Sequence, residues 1–253
     1  MNIRLLQLNI KRGAYLPRVI DYIRAGQFDL VCLQEVAGGN LGEKGKNCYN
    51  EILKDTGYEG NLSVYYGVKG DLGTYIGIGT FWKNGFSFVS SQTVWLKKYR
   101  ELPRKTETDY RAVPRCALCV LLEKSGEKVL VVNTHLAWGP TPNDALYKKN
   151  QAEKLYQWVR AHREAPFILA GDFNLNPHTK IVTRISQLGT NLTTRYHITN
   201  TLNPRTHYAK NLFPSGLPVD YIVTDKRITV KKFFIEDGVD LSDHFGLVLE
   251  CTI

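Results

Sequence analysis

Acid is scarce over one long stretch of this chain. From Phe173 to Val219 there is no aspartate or glutamate, and across 253 residues 33 lysines and arginines face 24 acids, a net charge of +9. That imbalance suits a polyanionic substrate. Cysteine is also sparse. The five, Cys32, Cys48, Cys116, Cys119 and Cys251, are odd in number and scattered, which excludes a disulfide framework. Cys116 and Cys119 form a CxxC with no second pair. On a strand, residues three apart face opposite sides, so they read as two small buried hydrophobes and not as a zinc site. No apolar run reaches membrane-spanning length, so neither a span nor a membrane partner is expected. The start, Met1 to Leu5, enters a strand pattern directly and lacks a secretory h-region, so a cytoplasmic protein is expected. Repeats, low-complexity linkers and breaks in composition are absent. One domain over residues 1–253 is therefore expected, as a monomer with no obligate protein partner. The GxxxxGK[ST] phosphate loop is missing too, and Gly-rich Gly38–Lys46 reads as a mobile loop.

What is present is a mixture of short apolar, β-branched runs and amphipathic stretches. Strands are predicted at Ile3–Leu8, Leu30–Gln34, Ile76–Trp82, Phe86–Leu96, Arg115–Glu123, Lys128–Thr134, Phe167–Ala170, Val219–Thr224, Thr229–Ile235 and Gly246–Thr252. Helices are predicted at Leu16–Ala25, Asn50–Asp55, Asn143–His162 and Thr179–Leu188. In the third, Leu146, Leu155, Trp158 and Val159 supply the apolar face. Two sheets packed face to face with helices outside, an α/β sandwich, is the natural arrangement.

Several strands end on polar groups. LQEV (Leu33 to Val36), NTHL (Asn133 to Leu136), GDFN (Gly171 to Asn174) and SDH (Ser242 to His244) each place a carboxylate, amide or imidazole after an apolar run. Carboxylates gathered at one rim repel one another unless a cation neutralises them. A hard, oxygen-liganded ion such as Mg2+ is the natural choice, with Mn2+ as a substitute. The pattern points to a metal-dependent hydrolase of a phosphodiester.

Asn9, LQEV, NTHL, GDFN, VDYIV and SDH, in that order, resemble the endonuclease/exonuclease/phosphatase superfamily. The resemblance runs from Asn9 to His244, and its motifs look closest to tyrosyl-DNA phosphodiesterases of the second type. It implies a four-layer α/β sandwich, two mainly antiparallel sheets flanked by helices. It also implies roles by position. Glu35 would bind the metal, with Asn9 and Asp243 beside it. Asp172 would orient or deprotonate the attacking water, and Asn174 would hold the phosphate. His244 would contact the phosphate and be oriented by Asp220. His135 would contact phosphate or assist the leaving group. AP endonucleases usually carry a tyrosine at that place, so His135 argues against that branch.

The owner of the phosphate is read from charge. The acid-free stretch holds Lys180, Arg184, Arg195, Arg205 and Lys210, with His207 among them. A second basic stretch, Trp95 to Arg115, holds Lys97, Lys98, Arg100, Arg104, Lys105, Arg111 and Arg115 together with Tyr99 and Tyr110. Basic and aromatic residues together suit phosphates and stacked bases. Arg115, Arg195, Arg205, His207 and Lys210 are thus expected to touch a nucleic acid, with DNA favoured and end processing or DNA repair as its setting. The alternatives are a phosphatase or lipid phosphodiesterase of the same fold, acting on an inositol phosphate or sphingomyelin, and a non-catalytic nucleic-acid-binding module.

Overall fold

The computed structural model describes residues 1–42, 45–103, 109–208, 211 and 213–253. The first half runs β1 (Asn2–Asn9), α1 (Leu16–Gly26), β2 (Leu30–Gly38), α2 (Cys48–Thr56), β3 (Glu59–Val68), β4 (Asp71–Trp82), β5 (Ser87–Lys97) and β6 (Arg100–Leu102). Then follow β7 (Arg115–Lys124), β8 (Glu127–His135), α3 (Leu146–Ala161), β9 (Phe167–Asp172), α4 (Lys180–Ser186), β10 (Thr190–Asn191) and α5 (Leu192–Arg195). The chain closes with β11 (Asp220–Thr224), β12 (Thr229–Glu236) and β13 (Gly246–Thr252).

The strands make two sheets. One has the order β12-β13-β1-β2-β4-β3-β6 and the other β10-β11-β9-β8-β7-β5. Pairing is mainly antiparallel. The parallel exceptions are β1 with β2, β8 with β9, and β3 with the short β6. The first two parallel pairs need crossovers, and α1 and α3 supply them. Helices α1 and α2 cover the outer face of the first sheet, while α3 and α4 cover that of the second. The result is a four-layer α/β sandwich.

Strand alternation explains the layers. On β7, Cys116, Leu118 and Val120 belong to the core shared by the two sheets, whereas Ala117 and Cys119 belong to the core beneath α3 and α4. The two cysteines therefore do face opposite sides, and each is buried among apolar groups. On β8, Val129 and Val131 point between the sheets, and by the same alternation Asn133 and His135 do too. Between the sheets, the Asn133 amide donates to the Leu33 and Gly79 carbonyls at 3.1 and 2.8 Å, both on the opposite sheet.

All ten expected strands are present. Three more, β3, β6 and β10, and the one-turn α5 are additional. Strand β3, Glu-Gly-Asn-Leu-Ser-Val-Tyr-Tyr-Gly-Val, carries little apolar alternation and is held by its pairing with β4. Helix α3 starts at Leu146, three residues later than expected, and Leu146 itself is 74% exposed. Leu155 and Val159 face inward as expected, with Trp158 partly buried, and Lys148, Gln151, Ala152 and Tyr156 complete that face. The segment read as a mobile loop begins as the end of β2 and a 3-10 turn at Gly39–Leu41; positions 43–44 lie outside the described residues. Among the described residues no helix is long and apolar enough to cross a membrane.

Candidate active site

Topology gathers the polar strand ends at one rim. Parallel β1 and β2 end in Asn9 and Glu35–Gly38, and parallel β8 and β9 end in His135 and Asp172. Strand β11 runs antiparallel to β9, so its first residue, Asp220, sits opposite Asp172. Strand β13 runs antiparallel to β1, which brings the preceding Asp243 and His244 to the same edge. Asn9, Arg12, Glu35, Arg115, His135, Trp138, Asp172, Asn174, His207, Asp243 and His244 line one cavity of about 410 Å³.

Two backbone details aim these groups. Glu35 follows Gln34, whose side chain points between the sheets, so a regular strand would turn Glu35 away. A bulge in β2 between Gln34 and Val36, with Glu35 at φ 55°, re-aims it into the cavity. In GDFN, a Cβ on Gly171 would stand 2.0 Å from the Thr134 carbonyl, so only glycine lets β9 pass β8 here. Asn174 then takes φ 53°. Its backbone N–H donates to Asp172 Oδ1 at 2.9 Å, and its Nδ2 donates to the Leu136 carbonyl at 3.2 Å.

A continuous chain of buried side chains leads to the site. Gln34 Nε2 donates to Asn133 Oδ1 at 2.8 Å. Gln7 Nε2 donates to Gln34 Oε1 at 2.8 Å and to Asp220 Oδ1 at 2.9 Å. Asp220 Oδ2 accepts from His244 Nδ1 at 2.8 Å, and His244 Nε2 stands 3.9 Å from Asp172 Oδ2. The last three are an acid–imidazole–acid array. Burial opposes the His244 cation, but the carboxylates of Asp220, Asp172 and Asp243 outweigh it and raise the ring to about 10. Burial, with Asp220 nearby, pushes Asp172 up to about 7. His135 lies 3.5 Å from the same Asp172 oxygen, yet burial, with Arg115 and His244 nearby, drives its pKa well down. One charged and one neutral imidazole therefore flank one carboxylate.

Asp172, Asp220 and His244 are close enough to hold a metal together. Their hydrogen bonds argue for another use. Both Asp220 oxygens are already engaged, by Gln7 and by His244. Asp172 accepts from Asn9 Nδ2 at 3.1 Å as well as from Asn174. Glu35 is freer. Its carboxylate opens on the cavity, with an ion pair to Arg12 at 3.9 Å. Asp243 lines the same cavity and meets Lys11 Nζ at 3.3 Å. Glu35 and Asp243 thus offer hard oxygen donors at the cavity wall of the kind a magnesium-like ion takes, and Asn9 stands beside them with its oxygen accepting from the Lys11 N–H at 3.1 Å.

The expected substrate contacts divide. Arg115 is in the cavity wall, its Nε donating to the Leu136 carbonyl at 3.1 Å and its guanidinium over Tyr65 at 5.2 Å. His207 is buried in the wall, stacked on Tyr208 at 4.9 Å and edge-on to His244 at 6.1 Å. Arg195 ends α5 and is exposed outside the cavity lining. Arg205 is also outside it, with its Nε donating to Asp240 Oδ1 at 2.6 Å. Lys210, like Arg104 and Lys105, lies outside the described residues. Sequence reasoning missed Arg12, Trp138, Tyr65 and Lys148. Arg12 had a signal, a cation three residues after the strand-end Asn9. Lys148 had none, because a lysine in a helix reads as solvated.

The chain matches the Endonuclease/Exonuclease/phosphatase family over residues 6–244. It belongs to that family, whose members are metal-dependent phosphoesterases. Solved structures agree in fold. An endonuclease/exonuclease/phosphatase from Bacteroides vulgatus superposes with a TM-score of 0.74 at 18% identity, covering 100% of this chain and 99% of that one. The mannosyl-6-phosphatase Bt3783 of Bacteroides thetaiotaomicron gives 0.70 at 17%, covering 99% and 100%. TDP2 of D. rerio, complexed with a single-strand DNA product, gives 0.69 at 17%, covering 100% and 99%. No curated protein sequence matches.

Proposed function

We propose that this protein is a Mg2+-dependent phosphodiesterase that hydrolyses nucleic acid, DNA in particular. The observation that carries the reading is the convergence of Glu35, Asp172, Asn174 and His244, the last held from behind by buried Asp220, in a cavity that Arg12 and Arg115 also line. Phosphodiesters resist attack because their charge repels the nucleophile. A divalent ion held at Glu35, with Asn9 and Asp243, would offset that charge.

The chain's own groups do the rest. The His244 cation donates from Nε2 to a non-bridging phosphate oxygen, and Asp220 fixes the ring by taking Nδ1–H. Asn174 Nδ2 is placed to shift from the Leu136 carbonyl to phosphate. Asp172 accepts the proton of the attacking water, and its raised pKa suits a base working near neutrality. Oxygen adds to phosphorus in line as the ester bond on the far side breaks, and the leaving oxygen takes a proton from solvent. Neutral His135, 3.5 Å from Asp172, contacts the phosphate without adding charge.

The net charge of +9 supports a polyanion. So does the shared fold with TDP2, which was seen with a single-strand DNA product. A second reading, hydrolysis of a phosphorylated sugar, is favoured by the equally full superposition on the mannosyl-6-phosphatase. The test is turnover by purified protein of labelled single strands, duplexes and 5′-tyrosyl ends beside mannose 6-phosphate, inositol phosphates and sphingomyelin. Oligonucleotide cleavage that stops in chelator and returns with Mg2+ is expected. Glu35→Gln should raise the Mg2+ requirement. Cleavage by metal-stripped protein in excess chelator would remove the mechanism, and turnover of small esters alone would remove the substrate.

A further inference from the structure

The cavity has an organic wall as well as a polar floor. After β8 the chain runs through Trp138, Gly139, Pro140 and Pro142, all of which line it. Trp138 is 44% exposed, although it stands only three residues from buried His135. Its indole is nevertheless braced on one side. It packs edge-on against Tyr110, with centroids 5.6 Å apart and planes at 88°. Tyr110 rests in turn on Tyr147 at 5.8 Å, and the Tyr147 hydroxyl donates to the Trp138 carbonyl at 3.3 Å. A Cβ on Gly139 would meet the Tyr147 hydroxyl at 2.3 Å, so that close approach depends on glycine.

An aromatic ring that is both held and open is suited to stacking, since little freedom remains to be lost on binding. The charges beside it select the partner. Arg12 and Arg115 line the same cavity, and Lys11 stands at its edge against Asp243. An anion on the floor with a flat π-system attached fits both features. We propose that Trp138 is the stacking platform for one unpaired nucleobase next to the scissile phosphate. The inference rests on the nucleic-acid reading above and narrows it. In a duplex both faces of each base are covered by neighbours, so a base must leave the stack to reach Trp138. The preferred substrate is therefore single-stranded or frayed nucleic acid. Stacking also tolerates any base, so little sequence preference is expected.

The experiment compares wild type, Trp138→Ala and Trp138→Phe with Mg2+ on short single-stranded oligonucleotides. The strands are intact or carry one baseless residue on either side of the cleaved bond. Because Trp138 is part-exposed, thermal unfolding serves as the check that each variant folds. On intact strands Trp138→Ala should lower kcat/KM roughly ten- to a hundredfold, while Trp138→Phe stays within about threefold. Removing the base on one side should cost wild type a similar factor, and there the further loss from Trp138→Ala should shrink to about threefold or less. An equal loss on intact and baseless strands, or none on either, would overturn the platform while leaving nucleic-acid hydrolysis standing. If wild type cleaves no oligonucleotide, the substrate reading fails first. A Trp138→Ala defect confined to mannose 6-phosphate would then reassign the indole to a sugar face and overturn the base assignment.

Discussion

Replacing Gln7 with methionine probes the join between fold and chemistry. Gln7 is fully buried in β1, and its Nε2 serves both Gln34 Oε1 and Asp220 Oδ1. The opposite orientation of the amide would set its oxygen against the Asp220 carboxylate, so the assignment is forced by charge. Methionine keeps the length and fills the space but donates nothing. A hydrogen bond to a charged group contributes about 1.5–3 kcal/mol, and a neutral one about 0.5–1.5 kcal/mol. The substitution also removes Gln7 Oε1, a buried oxygen with no partner, which returns on the order of 1 kcal/mol. The net loss is about 1–3.5 kcal/mol. Urea unfolding should show it as a lower midpoint at unchanged slope. A loss under about 0.5 kcal/mol would mean that Gln7 does not bridge the two acceptors. Gln7→Glu should be worse, because it sets a second carboxylate beside Asp220.

Three further outcomes follow from the same site. Asp220→Asn and His244→Ala should each cut kcat by roughly a hundred- to a thousandfold, and the double variant should lose little more; rates that multiply would show independent action. In metal-free protein, His244 should stay doubly protonated at pH 8 by 15N NMR, because its pKa is raised to about 10. A raised pKa means that this pairing stabilises the fold fully below about 6.5 and is lost as pH rises through about 10; Asp220→Asn should bring the titration down toward or below the ordinary value. Lys148, almost fully buried, donates from Nζ to the Thr141 and Asn174 carbonyls at 3.0 Å each, and burial lowers its pKa to about 8. Lys148→Met should cost about 1–3 kcal/mol of stability by leaving both carbonyls unpaired, with kcat reduced through the GDFN turn; unaltered stability in urea would count against that clamp.

The legible parts of the molecule were those written in period and punctuation. Apolar runs gave all ten expected strands, and motif order pointed to their rim. Gly-Asp-Phe-Asn shows its geometry in its residue types, a glycine where β9 crosses close to Thr134 and an asparagine at the left-handed turn. What was hidden depends on tertiary context. Strand β3 is specified by its partner more than by its own pattern. Lys148 is buried because two carbonyls on separate loops converge on it. Arg205 looked like a substrate contact because its own stretch has no acid, but Asp240, thirty-five residues later, pairs with it. Charge counted along the chain cannot foresee a partner that arrives by folding.

The left-handed backbone around the cavity has a thermodynamic consequence. Among the described residues, Lys11, Arg12, Glu35 and Asn174 are four of the seven non-glycine residues at positive φ. Asparagine tolerates that region, but each of the other three stores about 1–2 kcal/mol of steric strain. Together that is roughly 3–6 kcal/mol, a large share of the about 5–15 kcal/mol that separates a folded domain from its unfolded chain. Glycine at these positions would release the tension and delete the side chains that face the cavity. A search for heat-resistant variants that ignored activity would therefore be drawn to the rim of the cavity, and the hardiest proteins it returned would be the least able to work.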